Sequence, residues 1–208
     1  RPRRQRQMCI RDRTTAESVA AAVEAGADAA GFVFAESVRR VTPQAAHALA
    51  EGLPDNMARV AVMKHPTVEE VRSMQAGFAP TFLQTEYGDF GQIEITGACR
   101  PLPVLRAGAP LPARLPPLIL FEGPQSGSGE TTDWRQAAKL ARKTRLILAG
   151  GLDPDNVGEA IRQVRPYGVD VSSGVEAAPG RKDPRLISRF VEAVRAAERA
   201  AIRLDNHA

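Results

Sequence analysis

Two loops in the last third of the chain contain residue types that bind anions. The first, residues 149–156, has the sequence AGGLDPDN, in which Gly150 and Gly151 precede an Asp-Pro-Asp-Asn helix start. Paired glycines let backbone N–H groups approach an anion closely, and a helix N-terminus adds partial positive charge. This pattern is typical of a phosphate-binding turn.

The second loop follows in the sequence DVSSGVE and offers the hydroxyls of Ser172 and Ser173 and the N–H of Gly174. Each loop alone is also compatible with an ordinary turn between a strand and a helix. Both, however, follow β-rich segments, and the loops after the last two strands of a parallel barrel commonly hold phosphate. Together they predict a phosphate-binding rim.

From Thr14 onward, helix-period stretches alternate with short β-rich runs, as in repeated βα units on a parallel sheet. Seven strands are predicted, at residues 29–34, 59–63, 81–85, 103–106, 117–121, 145–149 and 169–171. An eighth strand before Thr14 would complete a (β/α)8 TIM barrel, with residues 14–208 as one domain.

Two parts of this barrel are irregular. Helices are expected to be shortened or missing between residues 86 and 115, where Gly- and Pro-containing loops predominate. The first strand is doubtful, because residues 1–10 lack the apolar, β-branched run of a central strand. An open doubly wound sheet is the rival topology, but its G-x-G-x-x-G turn after the first strand is missing.

The charge distribution and composition argue against several classes of function. The computed pI is about 9.5, yet residues 1–13 hold six Arg and one Asp, which leaves 22 basic and 23 acidic residues in the rest. We therefore expect no nucleic-acid partner, unless this arm alone binds phosphates.

No run approaches the roughly 18 apolar residues of a membrane span, and Cys9 and Cys99 suggest no disulfide framework. The expected location is the cytoplasm.

Several longer motifs agree with one family: LILAGGLDPDNVGEAIRQVRPYGVDVSSGVE with GRKDP, AAAVEAGADAAGFVFAESVRRVTP, SGSGETTDW and ARVAVMKHP. Over residues 14–197 the chain resembles the phosphoribosylanthranilate isomerases of tryptophan biosynthesis. Indole-glycerol phosphate synthase and tryptophan synthase α share the architecture but not this set of motifs.

The resemblance implies an Amadori rearrangement of N-(5′-phosphoribosyl)anthranilate to 1-(2-carboxyphenylamino)-1-deoxyribulose 5-phosphate. A general acid must protonate the ring oxygen, and a general base must remove the C2′ proton. A cation must hold the anthranilate carboxylate. The reaction implies a small-molecule partner, no cofactor and no metal, and the resemblance permits a monomer or a homodimer.

Family positions suggest roles for three residues of this chain. Asp133 matches the general acid, although it could instead cap the following helix. Arg39 matches the arginine that binds the anthranilate carboxylate, since a planar guanidinium can bind both oxygens. Asp170 matches a position close to the substrate and could equally be a structural carboxylate. His65 and Gln84 receive no catalytic role, and Gln84 is expected to point into the barrel.

The general base is missing from its expected place. The family has a cysteine three residues before the Thr that begins the first helix, and that position is Arg11. Cys9 is a doubtful base, because its spacing does not match, and a guanidinium stays protonated at neutral pH. Either residues 1–13 are not the natural start of the protein, or the chain has lost its base and its first strand. In the second case it is a non-catalytic phosphate-ligand-binding barrel.

Overall fold

A computed structural model describes residues 7–11, 14–124 and 132–205, and its parallel strands form a closed barrel. Strand order follows chain order, and the first strand pairs with both the second and the eighth. The strands are β1 Gln7–Ile10, β2 Ala29–Val33, β3 Ala58–Val62, β4 Phe82–Glu86, β5 Arg100–Arg106, β6 Leu118–Glu122, β7 Arg145–Leu148 and β8 Gly168–Val171. The predicted (β/α)8 barrel is confirmed, and the open sheet is excluded.

Helices cover most of the outside of the barrel. They are α1 Ala16–Glu24, α2 Pro43–Ala50, α3 Val68–Phe78, α4 Trp134–Ala141, α5 Val157–Val164 and α6 Pro184–Asp205. The first three begin where the hydroxyls of Thr15, Thr42 and Thr67 accept a backbone N–H of the first turn. The last helix packs on both α1 and α5 and so completes the outer ring. Over the part of the chain that the structure describes, every helix is too short or too polar to cross a membrane.

The side of the barrel around β5 has little helical cover, as expected. Residues 86–115 are all described, and their only helical segment is a 3-10 helix, Tyr87–Gly91. Strand β5 begins earlier than predicted and includes Pro101 and Pro103. Apolar side chains of the connecting loop, including Phe90 and Ile93, lie beside these prolines in place of a helix.

The doubt about the first strand was wrong. Met8 and Ile10 are fully buried in the layer between barrel and helices, and Cys9 faces the barrel interior. Met8 N donates to Asp28 Oδ2 at 2.9 Å, and Asp28 N donates to Met8 O at 3.0 Å. Because β2 and β8 supply hydrogen-bond partners on both sides, three buried residues are enough to make a strand here.

Candidate active site

A cavity of about 230 Å³ lies at the mouth of the barrel, where the strands end. Its lining includes Arg11, Arg39, Lys64, Arg106, Glu122 and Ser172. A larger cavity of about 400 Å³ lies at the opposite end, where the strands begin. The mouth is the better functional site, because strand ends and helix N-termini converge there and barrel chemistry is found at that face.

The first predicted anion loop has a backbone that favours glycine. Gly150 and Gly151 have φ of 92° and 62°, in the left-handed region that costs other residues energy. Asn156 Nδ2 donates to Gly151 O at 2.7 Å, and Asp153 accepts from Asn156 N at 2.8 Å. These bonds fix the turn that leads into α5.

The second anion loop touches the first, as the order of the strands predicted. A Cβ added at Gly174 would lie 1.9 Å from Leu152 O, so only glycine permits this approach. Ser172, which begins the loop, lines the mouth cavity. The structure therefore brings the two loops together, whereas phosphate binding by Gly150, Gly151, Ser172, Ser173 and Gly174 stays a prediction.

Arg39, the predicted carboxylate anchor, lies in the loop after β2 and lines the same cavity. Its Nε and Nη2 donate to Glu176 Oε1 and Oε2 at 2.9 and 2.8 Å, a two-point pair. The side chain of Arg39 is 20% exposed and that of Glu176 is 4% exposed. The neighbouring Arg40 instead pairs with Glu36 at the surface.

Glu176 belongs to a short hairpin that sequence reasoning missed. Strands β9, Glu176–Ala178, and β10, Arg181–Lys182, pair antiparallel beyond β8. A Pro-Gly pair at the turn was the pattern that could have revealed it. Burial alone raises the pKa of Glu176, but hydrogen bonds from Arg39 and Lys182 and their charges outweigh it and lower the pKa to about 2.

Asp170 is buried in the barrel interior at the end of β8, 1% exposed. Arg11 lies beside it, with Nε 2.5 Å from Asp170 Oδ2, and reaches the mouth cavity. The position that the family gives to its base is thus filled by a cation between two strand ends. The substrate contact of Asp170 remains a prediction.

Cys9 lies on the same face of β1 as Arg11 but deeper in the barrel. It packs with Ala29, Leu120 and Ile147 and lines the cavity at the opposite end. The mouth is one strand repeat further along β1, and a base role for Cys9 stays a prediction.

Asp133 acts as the N-cap of α4. Its Oδ1 accepts from Arg135 N at 2.9 Å and Gln136 N at 3.0 Å, and the residue is exposed. Among the described residues that line the mouth cavity, Asp133 is absent. The preceding loop, residues 125–131, lies outside the described residues. The capping interaction is therefore observed, and the acid role stays a prediction.

Glu122 is the carboxylate that sequence reasoning missed. It ends β6, is 3% exposed and lines the mouth cavity. Its Oε1 lies 3.0 Å from Arg106 Nη2, and its Oε2 lies 3.8 Å from Arg11 Nη2. The pattern that could have identified it is a carboxylate directly after the apolar run LILF, since the end of a barrel strand is where catalytic groups occur.

Gln84 and His65, to which the sequence assigned no catalytic role, lie at different depths in the protein. Gln84 is 2% exposed and lines both cavities, so it points into the barrel as expected. His65 is an exposed turn residue with φ of 46°, and its ring contacts Asp89 at 3.0 Å. Neither the position of Gln84 nor the contact of His65 gives these residues a catalytic role.

A family model, sequence relatives and solved structures all point to the same protein family. The family model described as N-(5′-phosphoribosyl)anthranilate isomerase matches residues 113–193. The protein of that name from Streptococcus mutans is 40% identical over 185 residues, covering 88% of this chain and 95% of its own. The Thermus thermophilus crystal structure of phosphoribosyl anthranilate isomerase has a TM-score of 0.79 at 30% identity, covering 91% of this chain and 98% of its own.

A second solved structure includes a ligand. It is phosphoribosyl anthranilate isomerase in complex with reduced 1-(o-carboxyphenylamino)-1-deoxyribulose 5-phosphate. It is similar to this chain with a TM-score of 0.74 at 27% identity, covering 92% of this chain and all of the other. The ligand contains a phosphate at one end and an aromatic carboxylate at the other.

Proposed function

This chain belongs to the N-(5′-phosphoribosyl)anthranilate isomerase family, and we propose that its barrel mouth binds the phosphosugar-anthranilate of tryptophan biosynthesis and isomerises it by an Amadori rearrangement. One observation supports this assignment above all others. Arg39 and Ser172, the first residue of the second anion loop, line the same cavity. A cation and a phosphate loop on one cavity suit a substrate with a carboxylate and a phosphate at its two ends.

The first chemical step needs a proton donor at the ring oxygen. Protonation there opens the furanose to an iminium, and loss of the C2′ proton then gives an enolamine that becomes the ketose. We assign the donor to Glu122, because its carboxyl group is buried in the cavity, and it must take up its proton there against the charges of Arg106 and Arg11. Asp133 is the rival assignment, and its carboxyl group already caps α4.

The second step needs a base for the C2′ proton. Arg11 stands at the base position and cannot accept a proton at neutral pH. We propose that residues 1–13 differ from the natural first segment of the family and that this difference limits turnover. A chain that binds ligand but leaves substrate intact is the competing outcome, and it follows directly from Arg11.

The remaining assignments follow from the chemistry. The substrate is a small anionic molecule, and each step moves protons within it, so the proposed reaction uses no cofactor. We place the protein in the cytoplasm, as a monomer or a homodimer, without a nucleic-acid partner.

The test combines binding with turnover. Calorimetric titration with the reduced product analogue should show binding that Arg39→Ala weakens by roughly tenfold or more. Loss of anthranilate fluorescence from the substrate follows turnover. If the protein fails to bind the reduced analogue, the proposed function is wrong.

A further inference from the structure

We propose that Glu176 and Lys182 are positioning residues, which hold Arg39 in the geometry that binds the anthranilate carboxylate and connect it to the phosphate loop. This inference rests on the proposed function, because it concerns how the same cavity recognises its substrate. It assigns a role to the hairpin β9–β10, which lies beyond the last strand of the barrel.

Glu176 fixes the orientation of Arg39 by accepting hydrogen bonds along one edge of its guanidinium. Both carboxylate oxygens of Glu176 accept from Arg39, at 2.9 and 2.8 Å. A guanidinium has five N–H donors, and this pair uses two of them. Because Arg39 also lines the cavity, the pairing orients a planar donor group that can bind a second carboxylate.

Lys182 extends the same network to the anion loop. Its Nζ donates to Glu176 Oε1 at 2.8 Å and to Ser172 O at 2.9 Å. The side chain of Lys182 is only 1% exposed. A continuous series of contacts therefore runs from Ser172 through Lys182 and Glu176 to Arg39.

The carboxylate of Glu176 joins the two cations of this network, since its oxygens accept from both Arg39 and Lys182. A rival hypothesis makes Glu176 a competitor that occupies Arg39 until substrate displaces it. The geometry argues against competition, because Lys182 Nζ and Gly180 N also hold the carboxylate of Glu176 in place.

The experiment compares two ligands on the full chain by calorimetric titration. One is the reduced carboxyphenylamino analogue, and the other is the same molecule with a phenyl ring that lacks the carboxylate. We expect Glu176→Gln to weaken the first roughly tenfold, because a neutral amide orients a guanidinium poorly, and to change the second less than about twofold. In an Arg39→Ala background the Glu176→Gln effect on the first ligand should disappear.

Two variants serve as controls. Glu159→Gln breaks an exposed arginine pair on α5, with Arg162, and should leave both affinities unchanged. Lys182→Met should weaken the carboxylate ligand more than the other ligand, but less selectively than Glu176→Gln, because it also removes the bond to Ser172 O on the phosphate loop that both ligands share. It also provides a second test if Glu176→Gln unfolds, which thermal denaturation will reveal.

The outcomes separate this inference from the proposed function. Equal weakening of both ligands, tighter binding of the carboxylate ligand, or additivity with Arg39→Ala would each overturn the positioning role. If the unaltered chain binds neither ligand, the proposed function fails and this inference fails with it. Selective loss that depends on Arg39 supports both.

Discussion

Arg11 and Asp170 form an ion pair across the closure of the barrel, with Arg11 Nε 2.5 Å from Asp170 Oδ2. The same guanidinium approaches Glu122 at 3.8 Å. A cation thus lies between two buried carboxylates at the mouth, at the position where the family resemblance predicts a cysteine base. The consequences for catalysis can be measured directly.

Replacing this arginine tests the missing base. Arg11→Cys should raise turnover by about a hundredfold or more, because general base catalysis contributes that much and a thiolate can accept the C2′ proton. The measurement is the decay of anthranilate fluorescence under substrate excess.

Arg11→Ala is the matched control, since it removes the same cation without adding a base. Equal rates for the alanine and cysteine variants would show that the guanidinium only blocked the site and that the base lies elsewhere. Thermal unfolding of both variants will show whether loss of the ion pair lowers stability.

Two carboxylates compete for the role of general acid. In the Arg11→Cys background, Glu122→Gln should lower kcat by about a hundredfold or more, because an amide is too weak an acid to transfer a proton to the ring oxygen. Asp133→Asn should stay within about twofold, since Asn caps a helix as well as Asp. A larger loss for Asp133→Asn than for Glu122→Gln would return the acid role to Asp133.

The contact between the two anion loops requires glycine at position 174, because a side chain there would hold the loops apart. Gly174→Ala places a Cβ where it would lie 1.9 Å from Leu152 O, so the loops must separate. We expect a loss of about 2 kcal/mol in the free energy of unfolding and a phosphate affinity roughly tenfold lower. Gly91→Ala is the control, because a Cβ there meets open space. Unchanged phosphate binding by Gly174→Ala would place the anion site elsewhere.

The stability of the protein should depend on Glu176 in acid. Its pKa falls from 4.5 in the ordinary state to about 2 in the folded protein. The contribution of Glu176 is therefore complete above about pH 4.5 and disappears as the pH falls toward about 2. At about pH 6.5, Glu176→Gln should cost about 2 kcal/mol in urea unfolding.

The same variant should differ less from the parent chain at about pH 3.5, because Glu176 is then mostly protonated in the unfolded parent while it stays ionised in the folded one. A difference in unfolding free energy that stays constant over this range would mean that Glu176 is not the ionised partner of Arg39 and Lys182.

Sequence periodicity was sufficient for most of the fold. Alternating β-rich and helix-period stretches predicted the barrel, and the loop composition of residues 86–115 predicted the missing helices. The strand at Gln7–Ile10 was doubted because its apolar run is short. Burial of a strand between two existing neighbours depends on tertiary pairing, which a local pattern does not contain.

The site was predicted less completely, for a similar reason. The glycine loops and Arg39 are local patterns, and the structure places Arg39 and Ser172 of the second loop on one cavity. Glu122 and Glu176 become important only through partners distant in sequence, namely Arg106 for the first and Arg39 for the second. Such pairings cannot be inferred from spacing along the chain.

The pairing of β1 with β8 has a consequence for how the protein forms. Gln7 and Gly168 are adjacent in the sheet but about 160 residues apart in sequence. Contacts of such separation form slowly, and both strands remain open edges until they meet. During synthesis, β1 leaves the ribosome before the other seven strands of the barrel and must wait for β8. A chaperone that covers this edge, or a circular permutant in which a linker joins the end of α6 to β1 so that β1 follows β8 in the chain, should therefore speed maturation and reduce aggregation of the nascent protein.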